Sequence, residues 1–233
     1  MKVTCLILLV LSASALSTKA PQKAVVYDAT NLNGNQLNIY GYKEDLSTDG
    51  FDNRIWSTRV SGIWLFYENI RFNSETSGLV FFAYGDSFSV NTLEDLNGRV
   101  SSVRNSGIGS TYKDISLNIY EKEGFAGEEE YFTNDIPYLR QKNFGESIIL
   151  TGCLPWTLYS EKYFAGDRIC VEPSDVIQCN PGMYPRLNDL PGFHNGVSSA
   201  RIGCYSTKKL RGNYMQRNST GLYKPDTKKM LFL

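Results

Sequence analysis

Residues 120–127 read Tyr-Glu-Lys-Glu-Gly-Phe-Ala-Gly, and residues 159–166 read Tyr-Ser-Glu-Lys-Tyr-Phe-Ala-Gly: two copies of a Y-x4-F-x-G pattern. The spacing has a physical meaning. When two strands are joined by a tight, folded-over hairpin, the two rings close over the turn. The glycine takes a positive φ that other residues adopt only at a cost. The same anchor stands twice more with one change each. Tyr27, Leu32 and Gly34 exchange the second ring for leucine, and Tyr67, Phe72 and Ser74 exchange the glycine for serine. Four matches in one chain are an internal repeat rather than an accident of an aromatic-rich composition.

Working outward, a second anchor follows three of the hairpins: Ser57-Thr58-Arg59, Ser102-Val103-Arg104 and Ser199-Ala200-Arg201. The third repeat keeps only Ser147-Ile148-Ile149. Each reads as a strand entered through a polar turn. The repeats alternate in type: the second and fourth open with Trp64-x-x-Tyr67 and Trp156-x-x-Tyr159, where the first and third have Ala24 and Leu117. An A-B-A-B order describes one domain of two motifs, duplicated. Residues 24–27, 79–82 and 148–150 are β-branched, aliphatic or aromatic runs, and Gly, Asn, Asp and Ser clusters punctuate the chain. No segment sustains a 3.6-residue apolar period, so the reading is all-β.

These residues resemble the βγ-crystallin superfamily: the four hairpin anchors, the Ser-x-Arg strands and the Gly62-Ile63-Trp64 entry, together spanning about residues 22–205. The resemblance implies two Greek-key sandwich domains, 22–105 and 115–205, joined by a short Gly/Ser-containing linker at 106–114. It implies that each domain packs two antiparallel sheets with one strand exchanged between motifs. It also implies domain pairing, within the chain or as self-association. For the cysteines it favours Cys153–Cys204, closing the fourth motif from start to end, and Cys170–Cys179, clipping the loop between its second and third strands.

The resemblance further points to calcium. Family members carry N/D-N/D-x-x-S/T-S arches before the fourth strand of a motif, used in pairs that lend each other a hydroxyl, and calcium takes hard oxygen donors of this kind. The four arches here start at Asp52, Asn97, Asn143 and His194, and none fits completely. Trp56 stands where the first arch needs a hydroxyl, and the second lacks its second Asn/Asp. Ser101 can complete a site centred on Asp52 and Asn53, with a hairpin carbonyl near Asp28. The expectation is therefore one weak Ca2+ site, in domain one.

Composition bounds the rest. Residues 1–17 form a charged start, an apolar run from Cys5 to Leu11 and small residues through Ala15, the layout of a secretory signal peptide. The run is too short to cross a bilayer, so no transmembrane segment is expected. Four cysteines remain after cleavage, as suits an exported, disulfide-bonded protein. Residues 206–233 carry seven cations and one acid. That reads as a flexible basic tail, or more sharply as a tether for an anionic surface or glycan. No basic face interleaved with aromatics occurs, which argues against nucleic acid. Asn218 begins the single N-x-S/T sequon. The one histidine, His194, sits in a turn, and no catalytic motif accompanies it. The sequence thus describes a secreted, non-enzymatic structural protein, with a binding or defence protein engaging a protease, glycan or membrane as the alternative.

Overall fold

The computed structural model describes residues 21–109, 111–139, 144–188, 190, 192–194, 196–211, 219–225 and 229–232. The expected leader at 1–17, the sequon residue Asn218, and Asn143 and Asn195 of the arches lie outside the described residues.

Domain one is built from β1 (Lys23–Tyr27), β2 (Gln36–Ile39), β3 (Ser57–Tyr67), β4 (Val80–Val90) and β5 (Ser102–Ser106). β1 and β2 are the arms of the first folded hairpin, with Tyr27 opposite Gln36. β3 serves two motifs. Its first half pairs with β1, Tyr27 opposite Ser57, and its second half pairs with β5, Ile63 opposite Ser106. β4 runs beside both halves, and the register slips between Val60 and Gly62. Gly62 has φ +99, and a Cβ there would sit 2.3 Å from the Gln22 carboxamide oxygen. Glycine lets the strand bend from one sheet of the sandwich into the other. The end of β4 therefore lies with the first motif although the chain places it in the second. This is the strand exchange that the resemblance implied.

Side-chain alternation then divides β3 between two cores. Trp64 and Phe66 turn into domain one with Phe81, Leu96 and Val103, while Ile63, Leu65 and Tyr67 point the other way, toward domain two.

Domain two repeats the plan in separate strands. β6 (Ser116–Tyr120), β7 (Glu129–Phe132), β8 (Ser147–Thr151) and β11 (Gly182–Tyr184) form one sheet, ordered β11-β8-β6-β7. β9 (Trp156–Tyr159), β10 (Arg168–Glu172), β12 (Ser199–Ile202) and β13 (Lys209–Arg211) form the other, ordered β12-β9-β10-β13. β11 belongs to the fourth repeat in sequence and to the sheet of the third in space. Between the domains the linker is packed rather than loose: Tyr112 is buried against Tyr84, and the backbone NH of Gly107 donates to Asn118.

Two expectations are corrected here. The first is the basic tail. β13 pairs in parallel with β10. β14 (Thr220–Lys224) crosses back to domain one and pairs antiparallel with β4, Leu222 opposite Phe81, and β15 (Lys229–Phe232) pairs with β14. Leu222 joins the domain-one core and Tyr223 the cluster between the domains. An unpaired β4 edge is a row of open NH and CO groups, and the chain's own C-terminal strand satisfies it. Two cations assigned to a tether are spent within the fold, Lys209 on Glu172 and Lys224 on Asp95. The premise of a free end therefore fails.

The second correction is the disulfide pairing, which is Cys153–Cys179 and Cys170–Cys204. The start of β9 does face the end of β12, with Trp156 opposite Ile202 and the Gly203 NH on the Pro155 carbonyl. Beyond Gly203, at φ +103, the chain turns to reach β13 on the far side of β10. Ser206 bonds the Arg168 carbonyl on the way, so Cys204 crosses the sheet to Cys170. The loop after β10 folds back through an Asp175–Asn180 bridge and delivers Cys179 to Cys153.

Candidate functional site

The four hairpins share one backbone plan. The second anchor residue of each has a left-handed backbone: Leu32 (φ +60), Phe72 (+57), Phe125 (+64) and Phe164 (+63). In three of them the ring pair meets at 5.5–5.7 Å between centroids. The strain of a non-glycine residue at positive φ requires a compensating contact. A serine on the following strand supplies it. Ser57, Ser102, Ser147 and Ser199 each accept a hydrogen bond from the NH of that left-handed residue, at 2.8–3.0 Å. Each also donates to a carbonyl three residues earlier in the same hairpin. This is the physical content of the Ser-x-Arg anchors.

The residue after each hairpin tyrosine closes the turn from the other side. A side-chain oxygen of Asp28, Glu68, Glu121 and Ser160 accepts from the NH that opens the next strand, at Asn35, Leu79, Glu128 and Asp167. In the second hairpin, Gly78 stands where the others have Gly34, Gly127 and Gly166, so Ser74 is part of a longer turn and no substitute for the glycine. A Cβ on Gly34 would fall 2.1 Å from Asp28 Oδ1.

The two arches of domain one, which carry Asp52, Asn53 and Ser101, meet along one seam. The arches at 52–56 and 97–101 lie side by side: Asn53 NH donates to the Val100 carbonyl at 2.9 Å, and Gly98 NH to the Ile55 carbonyl at 2.8 Å. Asn53, at φ +54, donates its side-chain amide to Asp52 Oδ2, while Asp52 Oδ1 is buried with no hydrogen-bond partner. Ser101 is buried beside Val100. The Asp28 carboxylate is drawn elsewhere. Arg54 Nη2 reaches its Oδ2 at 2.6 Å and Asn35 holds both its oxygens. These bonds, that of Asn35 foremost, hold its pKa below the usual carboxylate value. In the second arch the Asn97 side chain is used up by the Leu93 NH and the Thr92 hydroxyl, and the Trp56 ring packs over Gly98. Of the side-chain oxygens in these two arches, Asp52 Oδ1 is the buried one left without a partner, and it is the donor open to a cation. In domain two His194 is exposed, its Nδ1 2.9 Å from the Asn188 carbonyl, a turn contact.

Two groups of residues carry weight that sequence reasoning did not assign. Arg54 and Arg99 occupy the third position of the two arches and each bonds the acid that follows the facing hairpin tyrosine, Asp28 and Glu68. The recurrence of Tyr-acid with arch-arginine was the available signal. The other is Arg104, fully buried between the domains. Its guanidinium lies 4.6–5.1 Å from the ring centroids of Tyr67, Phe72 and Tyr120. It donates to Tyr67 Oη and to the Phe125 and Gly127 carbonyls of the third hairpin. Around it Ile63, Leu65, Phe82, Tyr84, Ile149 and Met183 form a continuous apolar interface. Burial pushes the Tyr67 and Tyr120 hydroxyls well above the ordinary phenol value and Tyr84 up to about 12.

A fold of paired Greek-key sandwiches with serine-tied hairpins defines a class, and the comparisons agree with it. The family model Beta/Gamma crystallin matches residues 23–105 and 116–202. The chain belongs to the beta/gamma crystallin family. It is similar to gamma-crystallin N of Xenopus tropicalis, 27% identical over 184 residues, 77% of this chain and 93% of the relative. It is also similar to beta-crystallin A1-1 of Aquarana catesbeiana, 27% identical over 158 residues, 65% of this chain and 78% of the relative. Among solved structures, Geodin, a beta-gamma crystallin from Geodia cydonium, superposes with a TM-score of 0.54 at 18% identity. That match covers 78% of this chain and 99% of Geodin, and it supports the fold alone.

Proposed function

We propose that this chain is a secreted, non-enzymatic structural protein whose two crystallin domains act as one rigid body. The observation that carries this reading is the interface around Arg104, reinforced by β14 returning to β4. A protein that works by holding shape is best served by domains that cannot reorient, and an apolar interface with a buried, hydrogen-bonded guanidinium resists reorientation. Two disulfides support export. Expression with the native leader in secreting cells tests both parts. The medium should contain a protein that starts within a few residues of Ser17, with Cys153 joined to Cys179 and a single melting transition. Retention inside the cell with the leader intact, or two separate transitions, would overturn the reading.

A second reading is favoured by the unpartnered Asp52 oxygen: a weak calcium site formed by Asp52, Asn53 and Ser101, with a carbonyl near Asp28. Calcium there would be held by hard oxygen donors and would tie the first arch to the second. Calorimetric titration with calcium chloride should give heat with the natural protein and none with Asp52→Ala. Equal heats from the two proteins would remove the site.

A further inference from the structure

Domain one contains the same three-point contact twice. Arg54 Nη2 bonds Asp28, and its Nη1 donates to the Gly50 carbonyl at 2.9 Å, four residues back. Arg99 Nη2 bonds Glu68, and its Nη1 donates to the Asp95 carbonyl at 3.2 Å, again four residues back. In each case the arginine is third in its arch and the acid directly follows the tyrosine of the facing hairpin. In each case too, the acid's other oxygen accepts from the NH that opens the next strand. Domain two has the acceptors but not the cation: Glu121 and Ser160 close their hairpins, while the third arch position is Gly145 or Gly196.

We propose that Arg54 and Arg99 are built-in cations that join arch to hairpin in domain one, and that Arg54 sets the weakness of the calcium site beside it. A planar guanidinium with a fixed fork suits this task. One edge takes the carboxylate and the other a backbone carbonyl, so it draws anionic and dipolar oxygens together much as a metal ion does. Unlike a metal it cannot dissociate, so the contact is independent of calcium in the medium. The same charge opposes a divalent ion. Arg54 directly follows Asn53 and is bonded to the hairpin that would supply the carbonyl, so an entering ion meets a like charge on the adjoining residue, in surroundings that screen it only partly. Arg99 has no such consequence, because the Asn97 amide is already committed and no orphaned oxygen lies in that arch.

This inference rests on the calcium reading for its metal arm only, and the test separates the two. The full chain, Arg54→Gln, Arg99→Gln and the double variant Asp52→Ala/Arg54→Gln are titrated with calcium chloride by calorimetry and melted in excess chelator. Glutamine keeps a donor and removes the charge. In chelator, Arg54→Gln and Arg99→Gln should each melt a few degrees lower than the natural protein, about 1–3 °C for a partly exposed ion pair. Arg54→Gln should bind calcium more tightly, on the order of tenfold, and recover its melting temperature when calcium is added. Arg99→Gln should not recover, and the double variant should bind nothing. Unchanged melting of both single variants in chelator overturns the built-in cation. Equal calcium affinity of Arg54→Gln and the natural protein overturns the role of Arg54 and leaves the site standing. Absence of binding in both removes the site and, with it, the metal arm. Binding by Arg54→Gln alone supports the inference and shows that the natural site is closed.

Discussion

A serine hydroxyl decides whether each hairpin stays folded over. Its loss leaves the NH of a left-handed residue buried without a partner, and an unsatisfied buried donor costs more than the mean hydrogen bond contributes. Ser147 is the cleanest case, being fully buried with contacts of 2.8 Å to the Phe125 NH and 2.5 Å to the Lys122 carbonyl. Ser147→Ala should lower stability by about 1–3 kcal/mol with an unchanged denaturant slope, read by urea unfolding. A change below ~0.5 kcal/mol would show that the ring clasp holds the turn without it. The serines and the tyrosines were legible in the sequence because they recur at fixed spacing. The acceptor after each tyrosine was harder to see, since Asp28, Glu68, Glu121 and Ser160 differ in type and share only an acceptor oxygen in the right place.

Among the elements, β14 carries the consequence least expected from composition. Seven cations in 28 residues read as a solvated end, yet Thr-Gly-Leu-Tyr-Lys at 220–224 buries Leu222 in the domain-one core and Tyr223 against Gly124 of the third hairpin. The Tyr223 hydroxyl reaches Glu123 at 3.1 Å, so one side chain touches both domains. Tyr223→Ala should cost about 2–4 kcal/mol by opening a cavity at the interface. It should also raise hydrogen exchange at residues 80–83, which pair with β14. Unchanged protection there would mean that β14 is dispensable to the edge it covers. The same C-terminal path explains the cysteines. The first and last strands of the fourth motif, β9 and β12, are neighbours, but the chain after Gly203 has to cross the sheet to reach β13, and only a folded tail reveals that crossing.

For the molecule as a whole, the buried phenols at the domain interface give a pH signature. Tyr67 and Tyr120 hold their protons well above the ordinary value and Tyr84 up to about 12, all chiefly through burial. The ordinary value applies in the unfolded chain, so below about pH 10 both states keep these protons and their contribution is complete. As pH rises beyond that, the unfolded chain releases protons first, and stability falls until the folded values are reached. Titration followed by near-ultraviolet phenolate absorbance should show these three ionising only together with loss of the near-ultraviolet dichroism of the fold. Complete phenolate formation in a protein still natively folded would contradict the packing described.

The local parts of this protein follow from the residues alone. A Tyr-x4-Phe-x-Gly hairpin, a serine entering the next strand and an alternating apolar strand are short-range patterns, and their four-fold recurrence names the fold. What depends on chain segments far apart was decided only by packing. That set includes the buried face of Arg104, the crossing that joins Cys170 to Cys204, the return of β14 to β4, and the arginines that reach back to Asp28 and Glu68. Each of those contacts joins residues well apart in the chain, and its geometry exists only once two separate surfaces have been brought together by the burial of their apolar sides.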